Sequence, residues 1–190
     1  MDILIIDNQT RYLEELKQLV RGENVQIVNP KKIDLLDINK FNLVILSGGH
    51  KFSVMNNEEK YAEEIKLIKT SRIPILGICL GFQLVARAFG GKLERLQIKR
   101  KGIIEIKILK KEPIFRGLLS FAVHEAHRWA LRELPDDLVG LAKSKDGFEV
   151  IRHKDRMIYG FQFHPEMFID KTCGDEIFYN FFNLIKQIRP

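Results

Sequence analysis

Cys79 lies between two glycines in Gly77-Ile78-Cys79-Leu80-Gly81, where an apolar run over residues 75–78 gives way to helical spacing over residues 80–89. This is the strand–turn–helix arrangement of a nucleophile elbow, with a thiol in place of a hydroxyl. Glycines on both sides let the turn close tightly and hold the nucleophile at strained dihedrals, with its side chain at the carboxyl edge of the sheet. The unpaired N–H groups of the helix start favour a reactive thiolate there. Such a nucleophile needs a base, and of the five histidines (His50, His124, His127, His153, His164) the last stands apart. It follows the apolar run 158–163 in Phe163-His164-Pro165-Glu166, which puts it near the same sheet edge. Glu166 can reach the far imidazole nitrogen and orient the ring. Ser47-Gly48-Gly49 closes a third apolar run, 43–46, and the N–H groups of Gly49 and Leu80 form the expected oxyanion hole.

Two other uses of these residue types fare worse. His124 and His127 are three apart on a strand-like stretch and no Cys-x-x-Cys occurs, so no metal site is expected. Neither Gly48-Gly49 nor Gly90-Gly91 is followed by Lys-Ser/Thr, so no phosphate loop and no cofactor is expected.

The elements that must position these groups follow from periodicity. Unalternating apolar runs at 3–6, 25–28, 43–46 and 75–78, separated by helical faces at 12–20 and 58–69, predict parallel strands covered on both sides. After Gly90-Gly91 the pattern shifts to alternating strands at about 103–109, 122–123, 139–142, 148–152 and 158–163. Residues 175–188 close as an amphipathic helix burying Ile177, Phe178, Phe181, Phe182 and Ile185. The predicted class is α/β: an open, mostly parallel, flavodoxin-like central sheet with helices on both faces and an antiparallel extension in the second half. With no repeat, low-complexity tract or linker, residues 1–190 read as one domain.

Composition narrows the partners. The chain has 190 residues, 45% hydrophobic and 29% charged, which suits one soluble domain and not a disordered chain. Its longest uncharged stretch, residues 73–86, falls short of the roughly 18 a membrane helix needs, so no membrane partner is expected. The start lacks the features of a secretory signal and only two cysteines occur, Cys79 and Cys173, which suits the cytoplasm. Residues 99–111 hold six basic residues against Glu105, most of the net charge of +6. Ile104, Ile106 and Ile108 alternate through that cluster and no aromatic residue interleaves it, so it reads as a solvated strand face, not a nucleic-acid site.

Taken together, Ser47-Gly48-Gly49, the stretch 74–84 around Cys79, Gly90-Gly91 and Ile158-Tyr159-Gly160-Phe161-Gln162-Phe163-His164-Pro165-Glu166 resemble a class I, triad-type glutamine amidotransferase over essentially the whole chain. The resemblance implies that Cys79 attacks the side-chain amide of L-glutamine, that His164 relays protons, and that Glu166 orients His164. A glutamyl thioester is then hydrolysed to glutamate and ammonia. It further implies that Gln83 contacts bound glutamine and that main-chain groups at Arg128 and Trp129 hold its amino-acid end. A separate synthase is implied as ammonia acceptor. Ile6-Asp7-Asn8 and Val123-His124-Glu125-Ala126-His127 are most similar to free-standing archaeal-type glutaminase subunits of GMP synthase, whose acceptor is an ATP-pyrophosphatase subunit. Trp129 stands where that group carries Asp. Glutaminases of anthranilate or aminodeoxychorismate synthases are also similar, without the Tyr-His-Ser-Leu signature. A regulatory subunit on the same fold, with Phe82, Lys51 or Trp129 obstructing the pocket, and a hydrolase of another amide are the remaining alternatives.

Overall fold

The computed structural model describes residues 1–188. The apolar runs form β1 (Asp2–Ile6), β2 (Asn24–Val28), β3 (Leu43–Leu46) and β4 (Ile75–Ile78), joined late in the chain by β9 (Ile158–Phe161). These five are parallel, in the order β2-β1-β3-β4-β9. Because side chains alternate along a strand, each presents one set to each face. Ile3, Ile5, Leu43, Ile45, Leu76 and Ile78 pack against helices α1 (Leu13–Leu19) and α4 (Gly174–Ile188). Leu4, Ile6, Val44, Leu46 and Ile75 pack against α2 (Ala62–Thr70) and α3 (Leu80–Ala88). The five apolar residues predicted for the buried face of α4 are all at most 5% exposed, and each contributes roughly 1.5–3 kcal/mol by leaving water.

The second half is antiparallel as expected, but it closes on itself, so the sheet is not the open one predicted. Strands β5 (Leu93–Ile108), β6 (Ser120–Leu131), β7 (Leu138–Lys143) and β8 (Phe148–His153) are antiparallel, and β7 pairs with both β5 and β8. The strands β8-β6-β5-β7 therefore close on themselves as a barrel-like ring, joined to the parallel half through the β8–β9 pair. The physical cause is irregular pairing. Register slips between Arg95 and Arg100 on β5, and again on either side of Ala142 on β7. Bulges bend a strand and sharpen its twist, which brings distant edges together.

β5 and β6 are much longer than their apolar patterns indicate. Over Leu93–Gly102 only Leu93 and Leu96 are buried, so alternation is lost among charged residues while the backbone pairs on. Farther along β5, Ile106 is fully buried and Lys107 exposed, giving the basic segment the solvated strand face its pattern predicts. Among the described residues, no helix is long and apolar enough to cross a membrane.

Candidate active site

The register of the central strands aligns three carboxyl ends, with Leu46 beside Gly77 and Ile78 beside Phe161. The turns that follow these strands carry Gly49, Cys79 and His164. Cys79 caps the start of α3 with φ 51° and ψ −94°, a left-handed conformation that a side-chain-bearing residue adopts only under constraint. Its N–H donates to the Phe161 carbonyl at 2.7 Å, which pins the elbow to β9.

The two glycines have specific steric reasons. A Cβ on Gly77 would lie 2.3 Å from the Gly81 carbonyl oxygen, and one on Gly81 would lie 2.3 Å from the Leu46 carbonyl oxygen. Backbone on both sides leaves nothing able to rotate away. Gly81→Ala is expected to cost about 3 kcal/mol or more, as severe overpacking does, and to displace Cys79. Urea unfolding gives the first quantity, and loss of thiol labelling at Cys79 the second.

His164 and Glu166 form a buried pair, Nδ1 to Oε1 at 2.8 Å. Burial by itself would lower the imidazole pKa, but the Glu166 carboxylate and the neighbouring Cys79 sulfur outweigh it and hold the value well above ordinary. The pair is thus built to keep an imidazolium facing the sulfur. The His164 N–H donates to the His124 carbonyl at 2.9 Å, and the Tyr12 ring meets the imidazole edge-on with centroids 4.9 Å apart. Both contacts restrict the ring. Gly48 admits it: a Cβ there would stand 3.0 Å from His164 Cε1 and 3.7 Å from the Cys79 Cβ.

Cys79, His164, Gly49, Leu80, Gln83, Arg128 and Trp129 all line one cavity of about 270 Å³, while Glu166 sits behind His164. The residues expected to form the triad, the oxyanion hole and the glutamine contacts are therefore at one place. Gln83 also donates from Nε2 to Gln162 Oε1 at 3.4 Å. Sequence reasoning missed Thr10, Arg11, His50, Ser53 and Lys99 on the wall. Their signal was weak, since they come from loops and from the charged half of β5. Neither Phe82 nor Lys51 lines this cavity: Phe82 is fully buried, and Lys51 lines a neighbouring one. Trp129 does line it, at its half-buried edge.

His124 and His127, three residues apart on a strand, point to opposite sides. His124 packs on Phe168, with centroids 4.8 Å apart, and burial lowers its pKa. His127 instead joins Glu125 and Glu149, the one group among the described residues whose atoms could together hold a metal. Its Nδ1 meets the Trp129 carbonyl at 3.0 Å, so that nitrogen must donate. The contact of Nε2 with Glu125 Oε2 at 3.2 Å then requires a further proton. Glu149 is pushed well up by burial and by the neighbouring Glu125 carboxylate, which makes it a proton holder too. The cluster sits on β6 and β8, and β6 also carries Arg128 and Trp129 to the cavity.

Comparison with known proteins identifies the family. The family described as "Glutamine amidotransferase class-I" matches residues 4–185. The chain is 36% identical to a protein of Pyrococcus abyssi named as a glutamine-hydrolyzing subunit of GMP synthase, over 98% of this chain and 100% of the relative. It is 33% identical to the protein of the same name from Methanobrevibacter smithii, over 98% and 97%. A crystal structure of a GMP synthase subunit from Thermoplasma acidophilum superposes with a TM-score of 0.87 at 30% identity, covering all of this chain and 96% of the other. With a match of this extent, and with a cysteine elbow facing a His–Glu pair, the chain belongs to the class-I glutamine amidotransferase family.

Proposed function

We propose that the protein is the glutaminase subunit of a GMP synthase: it hydrolyses L-glutamine to glutamate and ammonia and passes the ammonia to a separate ATP-pyrophosphatase subunit. The observation that carries this reading is the convergence of Cys79, a buried His164–Glu166 pair and Gly49 on one cavity of about 270 Å³. Relatives named as the glutamine-hydrolyzing subunit of GMP synthase, similar over their whole length, support the choice of acceptor.

In the proposed mechanism the Cys79 thiolate adds to the side-chain amide carbon of glutamine. The oxyanion that develops is held by the N–H groups of Gly49 and Leu80, the latter an unpaired donor at the start of α3. His164, already protonated, gives its proton to the departing nitrogen and ammonia leaves. The imidazole then takes a proton from water, whose hydroxide attacks the thioester; glutamate leaves, its acid proton passing to solvent, and the Cys79 thiolate and protonated His164 are restored. Glu166 holds the ring throughout. Gln83 and the main chain at Arg128 and Trp129 receive the rest of the substrate, and the cations Arg11, Lys99 and Arg128 on the wall suit its α-carboxylate.

One folded unit over residues 1–190 and action in the cytoplasm belong to this reading, and two free cysteines suit a reducing compartment. The synthase docks at the cavity, where Phe52 (51% exposed) is on the wall, and on the neighbouring Phe168 (43%), which packs on His124, and Ile169 (55%), all standing out of the surface. Exposed apolar side chains of this kind are typical interface anchors. Phe168 is thus a surface residue at φ 56°, not part of the core behind it.

The test is ammonia release from glutamine by the purified chain, alone and with its ATP-pyrophosphatase and that subunit's substrates. The expected result is slow hydrolysis alone and at least about 10-fold stimulation in the complex, the gain of completing a positioned site. Phe168→Ala should weaken the stimulation and leave the basal rate. Full activity alone, unchanged by the synthase, would mark a free-standing glutaminase.

A further inference from the structure

Behind the turn that carries Gly49 lies a contact unused in the mechanism above. Asn8 follows β1, and its backbone N–H donates to Ser47 Oγ at 2.8 Å. Its Nδ2 donates to the Ser47 carbonyl at 3.3 Å and to Glu64 Oε1 at 2.9 Å. Its carbonyl oxygen would stand 2.9 Å from a Cβ on Gly49. Asn8 therefore backs the Ser47-Gly48-Gly49 turn, and Glu64, fully buried on α2, backs Asn8.

Two oxygens are left over. Asn8 Oδ1 and Glu64 Oε2 are both buried without a hydrogen-bond partner. They are the second atoms of two planar groups already joined by one N–H···O bond. Two buried acceptors on side chains joined in this way are one proton short of a second bond. With a hydrogen on Oε2, Glu64 donates to Asn8 Oδ1 while Asn8 Nδ2 donates to Glu64 Oε1, and one cyclic acid–amide pair satisfies both orphaned atoms. We propose that Glu64 works as a neutral carboxylic acid and that its two-bond pair with Asn8 makes both of them positioning residues for the Gly49 turn, hence for the oxyanion donor. What Gly49 does rests on the amidotransferase reading; the acid–amide pair does not.

The surroundings agree. Burial pushes the Glu64 carboxyl up to about 7, with the Asn8 bond opposing. Tyr61 meets it from the turn before α2, and Asp7 lies beside Asn8 at the end of β1, so neither supplies a cation. The charges on the other packed elements are engaged elsewhere: Lys66 with Asp34 and Glu63, Arg87 with Glu58, and Lys60 over the Phe52 ring.

The test uses the full chain. In Glu64→Gln the side-chain amide keeps both bonds to Asn8 at every pH. Its kcat should match the wild type within about twofold at pH 6, and the variant-to-wild-type ratio should rise through pH 7 with KM nearly unmoved. Glu64→Leu, with no polar atom to offer, should lose about 10-fold in kcat or more at every pH. A flat ratio between pH 5.5 and 8.5, or equal rates for the Leu and Gln variants, overturns the proposal. If either variant fails to fold, wild-type NMR decides: the Glu64 carboxyl carbon and the Asn8 side-chain amide should titrate together near pH 7. Titration of Glu64 in the ordinary carboxylate range overturns the proposal. Joint titration in a chain that releases no ammonia from glutamine, even with the synthase, sinks the amidotransferase reading and leaves the acid–amide pair standing.

Discussion

Cys79→Ala is expected to abolish glutamine hydrolysis, by at least about 10⁴-fold, while the protein keeps its fold. Alanine retains the Cβ that Cys79 already carries at φ 51°, so the strain of the elbow is unchanged and only the sulfur is lost. The side chain is 5% exposed at the cavity floor, and removing one atom there should move the melting temperature by a few degrees at most. A glutamine-like electrophile provides the companion measurement. It should label Cys79 stoichiometrically and spare Cys173, which is half-buried just before α4 and packs against the core. Glutamine in excess should protect against labelling. Equal modification of both cysteines, read by mass spectrometry, would contradict the assignment, as would residual turnover in Cys79→Ala above about 1% of wild type.

The grouping of Cys79, His164 and Glu166 was legible in the sequence because the chemistry proposed for them constrains their neighbours. A cysteine held between glycines at i−2 and i+2 after a buried strand is poorly suited to a mere packing role, and the 2.3 Å approaches at Gly77 and Gly81 are the physical content of that spacing. The parallel strands were legible for a related reason. β3 and β4 are buried on both faces, so their apolar runs end where the strands end, at Leu46 and Ile78. The ring of β5, β6, β7 and β8 was not legible. Its closure depends on bulges and on strand pairs far apart in sequence, and Leu93–Gly102 pairs through backbone atoms that leave no mark in side-chain type. The same limit hid the second ring of residues around the site. Glu64 and Glu149 look like ordinary helix and strand acids until the fold buries them, and the partners that matter, Asn8 and Glu125, are distant in the chain.

Different losses are expected from the two members of the His–Glu pair. His164→Asn should lower kcat by about 10⁴-fold, because asparagine fills part of the space and carries no proton to the leaving nitrogen. Glu166→Gln should cost less, about 10- to 100-fold. The amide oxygen can still accept from Nδ1 across the 2.8 Å gap, so the ring keeps its orientation, but the full negative charge is gone. That charge is the first of the influences raising the His164 pKa against the lowering effect of burial. Its removal makes the imidazolium easier to deprotonate. The direction follows: a raised imidazole is protonated at low pH and loses its proton as pH rises through its folded-state value, so activity needing the imidazolium has a basic limb at that value. In Glu166→Gln the limb of kcat/KM should move to lower pH, and the variant should look least impaired in the most acidic buffers where both proteins stay folded. The acid–base assignment predicts the order of the two losses and the sign of the shift together. A Glu166→Gln loss larger than that of His164→Asn, or a basic limb displaced upward, would mean that Glu166 takes part in the chemistry itself and that His164 is the group being held.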